Sequence, residues 1–71
     1  MARCFSMKVK DILKLINDTK LYIEIIDEQS GASYGFYNKN DLIYNDKFNN
    51  CKIKKISVQY FDSKRVLILY I

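Results

Sequence analysis

Any chemistry performed by this chain falls to its carboxylates, cysteines and cationic side chains, because its 71 residues include no histidine and only two glycines. Without histidine the usual general base near neutral pH is missing, and neither a Cys–His nor a Ser–His nucleophile pair can be assembled. Gly31 and Gly35 are too few for a glycine-rich phosphate loop. Cys4 and Cys51 stand far apart and fall short of the four-ligand spacing of a zinc site. Among the carboxylates, Asp27 and Glu28 are adjacent at a strand end, and Asp41 and Asp46 flank the middle of the chain. They read as solvated charges beside turns, with a carboxylate-held metal as the alternative. Cys51 reads as a small buried hydrophobe rather than a nucleophile. No catalytic residue, metal ligand or cofactor is therefore assigned, and the chain is expected not to be an enzyme.

The cationic side chains are unevenly placed. Up to Asp46, Arg3, Lys8, Lys10, Lys14, Lys20 and Lys39 are outnumbered by Asp11, Asp18, Glu24, Asp27, Glu28, Asp41 and Asp46. From Lys47 onward, Lys47, Lys52, Lys54, Lys55, Lys64 and Arg65 meet only Asp62, so this stretch carries the whole positive excess of a chain whose formal net charge is +4. Tyr60 and Phe61 interleave with these cations, a pattern suited to phosphate contact plus base stacking. Lys52, Lys54, Lys55, Lys64, Arg65 and Tyr60 are thus candidate contacts for a nucleic acid or an acidic partner. Lysines beside an edge strand also serve a plainer purpose, since they deter sheet-to-sheet aggregation.

The elements that must position these groups are legible from periodicity. Val9, Ile12, Leu13 and Ile16 share one face of a helix expected over Val9 to Asn17. Asp11 lies in its first turn, where the helix dipole favours an acid. Leu21 to Asp27 alternates as a strand, Ser30-Gly31 marks a loop, and Tyr34 to Tyr37 returns, which together make a hairpin. Gly35 within it implies a bulge or a large side chain crossing there. Asn38 or Asn40 could cap a short helix carrying Asp41 to Tyr44, with Leu42, Ile43 and Phe48 as anchors. Lys52 to Phe61, a turn at Asp62-Ser63-Lys64, and Arg65 to Ile71 form a second hairpin. Ile53 is out of phase with Ile56, Val58 and Tyr60, and a bulge near Lys54-Lys55 restores it to their face.

The expected fold is α+β, with an N-terminal helix packed on a four-stranded, mainly antiparallel sheet in the order α-β-β-(short α)-β-β. One helix covers one face of such a sheet. The last strand is apolar on both faces, so it is either central and covered twice or covered on one side by another chain. Ile26, Tyr37, Leu67, Leu69 and Ile71 are the candidates for the uncovered face. Leu67, Leu69 and Ile71, with Tyr22 and Tyr37, form the candidate protein interface, tyrosine being suited to surfaces that are apolar and polar at once.

Residues 1–6 read as an N-terminal tail and residues 7–71 as a single domain. Two cysteines make no secreted disulfide framework. No apolar run approaches the ~18 residues of a membrane span, and no signal-peptide core is evident. A cytoplasmic protein with no membrane partner is expected. The richness in Lys, Asn, Ile and Tyr resembles usage in AT-rich genomes.

Three segments, Met7 to Ile16, Ile53 to Val58 and Val66 to Leu69, resemble small proteins of phages and mobile elements of low-GC Gram-positive bacteria. Those begin with a similar short helix and end in a similar basic hairpin. The resemblance spans most of residues 7–71, but it rests on hydrophobic pattern. It implies an interaction protein that binds a host macromolecule, a class that includes anti-defence inhibitors such as anti-CRISPR proteins. Many of those mimic DNA with an acidic surface, and this chain is basic, so mimicry of DNA is not the mechanism implied. A host protein or a second copy is the expected partner, with nucleic acid as the alternative.

Overall fold

The structure, a computed structural model, describes residues 7–71 apart from the Asp46 side chain. The tail expected over residues 1–6, with Cys4 and Arg3, lies outside the described residues. Helix α1 spans Val9–Leu15, strand β1 Tyr22–Ile26, strand β2 Ser33–Tyr37, helix α2 Lys39–Tyr44, strand β3 Lys55–Phe61 and strand β4 Lys64–Tyr70, with a 3-10 turn at Asp46–Phe48 between α2 and β3. The fold is α+β, and its four strands make one sheet in the order β2-β1-β4-β3. Both hairpins are antiparallel, while β1 and β4 pair in parallel at the centre.

Each helix forms for a local reason. The Asp11 carboxylate accepts the Lys8 backbone N–H at 3.0 Å, so a first-turn acid closes the start of α1. The helix ends earlier than its apolar period suggested. Ile16 has extended backbone, and the Lys39 ammonium donates to its carbonyl at 2.7 Å. A cation at that end satisfies a carbonyl the helix leaves unpaired. In α2, Asn38 is the cap. Its side-chain oxygen accepts from the Asp41 N–H at 3.0 Å, supplying a partner for one orphan donor of the first turn.

The core lies between α1, α2 and one face of the sheet. Val9, Leu13 and Ile16 meet Ile23, Ile25 and Leu69, while Leu42, Phe48 and Ile53 close the periphery. Of the anchors expected in the middle segment, Leu42 and Phe48 are buried but Ile43 is exposed, because α2 has only six residues and turns a single stripe inward. Ile53 is fully buried. The Lys54 N–H donates to the Tyr70 carbonyl although Lys55 is the register partner of Tyr70, so two residues oppose one. This bulge is what returns Ile53 to the face of Ile56. Gly35 has φ +119 and the end of the Tyr37 side chain lies over it, its hydroxyl oxygen 3.7 Å and its nearest ring carbon 3.8 Å from where a Cβ would stand. The Tyr37 hydroxyl continues across to donate to the Tyr34 carbonyl at 2.8 Å.

Asp62 and Ser63 close the second hairpin with φ of 54 and 64. Two consecutive positive φ values give the tight two-residue turn whose twist matches the strands it joins. That turn makes Phe61 and Lys64 a register pair and sets the facing of every residue along β3 and β4.

Candidate functional site

Register assigns each strand residue to a face. Cross-strand partners share a face, and residues two apart along a strand share it too. Ile23, Leu67 and Val58 are register neighbours, as are Ile25, Leu69 and Ile56. These lie on the helix side. On the other side, Tyr22 neighbours Val66, and Glu24 stands between Phe36 and Ile68. Lys64 and Phe61 continue that side at the hairpin turn, and Tyr70 and Lys55 continue it at the opposite end.

No described helix or strand lies over this second face. Even so, Val66 and Ile68 are only 5% and 3% exposed, yet they are not part of the core cluster under α1. They are buried by their sheet neighbours and make an apolar floor. Around the floor stand Tyr22, Phe36 and Phe61, all substantially exposed. These three, with Val66, Lys64 and Asp62, line a shallow hollow of about 300 Å³. The Lys64 ammonium lies 5.7 Å from the centroid of the Tyr22 ring, where the cation is attracted to the ring face. The Glu24 carboxylate, in the middle of the face, accepts from the Ser33 hydroxyl at 2.8 Å.

The interface residues expected from the sequence divide between the two faces. Leu69 is fully buried, and Leu67, Ile71 and Tyr37 pack against the core cluster beneath α1. They line the covered face, not the open one. The alternation of β4 was legible, but its parity was taken the wrong way round, and Val66 and Ile68 occupy the open side. Tyr22 does lie on the open face, as does half-buried Ile26.

The expected basic patch also divides. Lys54 and Lys55 sit at the start of β3, and Lys64 and Arg65 at the start of β4. With β3 antiparallel to β4, the two pairs are separated by the six residue steps from Lys55 to Phe61, about 20 Å of strand. Lys52 is farther out, bridged to Lys8. Lys64 projects on the open side, whereas Arg65 and its register partner Tyr60 project on the helix side. A different grouping appears at that end. Because β1 and β4 run in parallel with Tyr22 beside Val66, the turn that carries Lys20 and the start of β4 at Lys64 border the same cleft. Lys20, Lys64 and Arg65 line a cleft of about 530 Å³ together with Asp18, Asn38 and Tyr22. Lys20 has no sequence signal as a site residue, since its neighbourhood depends on the order of the strands.

The residues considered for catalysis have local tasks. The Asp27 carboxylate accepts from the Gln29 N–H at 3.2 Å and from the Ser30 hydroxyl at 2.9 Å, which shapes the β1–β2 turn. Asp41 belongs to the start of α2. Cys51 is a free, half-buried thiol packed against the core. Among the described residues, no three His, Cys, Asp or Glu side chains converge on a point that could hold a metal ion. No described helix is long and apolar enough to cross a membrane. In comparison with known proteins, the chain matches no family model, no curated protein and no solved structure, so its own geometry must carry the functional argument.

Proposed function

We propose that this protein is a non-enzymatic interaction protein that docks a host protein on the open face of its sheet. The observation that carries the reading is the set of exposed Tyr22, Phe36 and Phe61 around a hollow floored by buried Val66. Aromatic side chains around a shallow apolar hollow are the usual anchors of a protein interface. Lys64 on the rim favours an acidic group on the partner, beside an apolar side chain that fills the hollow. The setting is that implied by the resemblance to phage and mobile-element proteins, with an anti-defence role such as CRISPR inhibition as its specific form. The net charge of +4 supports a mechanism other than mimicry of DNA.

The test is capture of partners from the lysate of a low-GC Gram-positive host, comparing the wild type with Phe36→Lys. The register partner of Phe36 is Glu24, so the introduced lysine meets a carboxylate and the fold is retained. Loss of a central aromatic anchor costs about 2 kcal/mol or more, roughly a 30-fold weakening. A partner retained equally by both chains would show that docking does not use this face.

The second reading is a basic nucleic-acid-binding module. The cleft that gathers Lys20, Lys64 and Arg65 beside the Tyr22 ring favours it.

A further inference from the structure

Among the described residues, no strand pairs with the outer edge of β3 from Ile56 to Tyr60, and the residues along it are complementary to themselves. The two-residue turn makes Phe61 and Lys64 a hydrogen-bonded pair, and pairs of that kind recur at every second residue. Gln59, Ser57 and Lys55 therefore direct their peptide groups inward to β4. Ile56, Val58 and Tyr60 direct their N–H and C=O groups to the outer edge, where no described strand pairs with them. Protective devices are sparse along it. No charge, proline or glycine interrupts Ile56 to Phe61, and Val58, Tyr60 and Phe61 are 57%, 75% and 69% exposed. The β2 edge is different, being five residues long and distorted by Gly35 at φ +119.

We infer that two copies of this chain pair antiparallel through β3, with the twofold axis at Val58, into a continuous eight-stranded sheet. In this register Val58 faces Val58 of the second copy, and Ile56 faces Tyr60. These are the three residues whose peptide groups point outward, so the pairing forms six interchain hydrogen bonds. On the other side Ser57 faces Gln59, and Lys55 faces the Phe61 ring. No like charges meet within the strands. A shift toward the β3 start is blocked, because Met7 already accepts the Ile53 N–H at 2.9 Å and Lys8 bridges Lys52. A shift the other way sets Ile56 against Asp62. A single edge-to-edge contact lies at the small end of interface size, so the dimer is expected to be reversible and concentration-dependent.

The axis of such a pairing is normal to the sheet. Both open faces then lie side by side and both α1 helices lie on the opposite side, which doubles the docking face. The dimer is nevertheless independent of the docking reading, since β3 pairs through its edge.

Sedimentation equilibrium of the full chain, from micromolar to millimolar, is expected to show reversible monomer and dimer. Val58→Lys sets two ammonium groups across the axis and should weaken the dimer at least ~10-fold. Phe36→Lys lies on the opposite edge and should leave it unchanged. Amide exchange supplies a readout that needs no variant: the Ile56, Val58 and Tyr60 amides should gain protection as concentration rises. A chain that stays monomeric to millimolar overturns the inference, as does protection of those amides that does not vary with concentration. The latter would mean that residues of the same chain cover the edge. A monomer that still loses its partner on Phe36→Lys would refute the dimer alone; a dimer with no such loss would refute the docking face alone.

Discussion

Ser63→Gly should stabilise the protein, and the size of the gain follows from the turn that it occupies. Asp62 and Ser63 both hold positive φ, at 54 and 64. A left-handed conformation costs an L-residue about 1–2 kcal/mol, because Cβ crowds the following carbonyl. Glycine removes that cost but loses more backbone entropy on folding, which takes back about 0.4–1 kcal/mol. The net gain is therefore about 1 kcal/mol, and in a domain of this size that raises Tm by about 4–8 °C. Thermal unfolding followed by circular dichroism measures it. Ser63 is exposed and does not line the hollow between Tyr22, Phe36 and Phe61, so partner capture through the proposed docking face should be unchanged. A Tm that stays level or falls would refute the reasoning, since it would mean that the serine side chain contributes as much as the strain costs. It would also undermine the hairpin geometry from which the facing of β3 and β4 is argued.

The two neighbours Leu69 and Ile68 should behave differently although both are buried. Leu69→Ala opens a cavity beneath α1 at a cost of about 2–5 kcal/mol, comparable with the whole stability of about 3–5 kcal/mol for so small a core; circular dichroism at 25 °C should show a largely unfolded chain. Ile68→Ala lies on the open side, where side chains can close over the gap, and should cost about 2 kcal/mol or less, leaving a folded protein with a lower urea midpoint. If the nucleic-acid reading holds, each of Lys20→Ala, Lys64→Ala and Arg65→Ala should lower the salt dependence of single-strand binding by about one phosphate contact. Fluorescence anisotropy titrations at several salt concentrations measure that slope, and an absence of binding at low salt would remove the reading.

Much of the local structure was already set by residue order, because its causes act over a few residues. The alternation of Ile23 and Ile25, the cap at Asn38 and the crossing over Gly35 are each produced by neighbours in sequence, while the bulge that rescues Ile53 was legible from the phase of its apolar residues although Tyr70 of β4 completes it. So was the fold class, since two hairpins and one amphipathic helix pack economically in only a few ways. The limits of α1 were less legible. What ends it after Leu15 is the burial of Ile16 in extended form and an ammonium from Lys39, distant in sequence.

By itself the sequence determined the absence of histidine and of a phosphate loop, the excess of cations after Lys47, and a final strand apolar on both faces. Only the tertiary structure decided what those features do. Alternation shows that two faces exist, but which one turns to the helix depends on where α1 lies, and so Leu67 and Leu69 went to the core while Val66 and Ile68 floor the open face. Likewise, a run of cations has no shape until the strands are ordered. Antiparallel pairing of β3 with β4 carried Lys55 and Lys64 about 20 Å apart, and parallel pairing of β1 with β4 put Lys20 and Lys64 on one cleft instead. Facing and adjacency are properties of strand pairing, which is set by contacts between residues far apart in the chain.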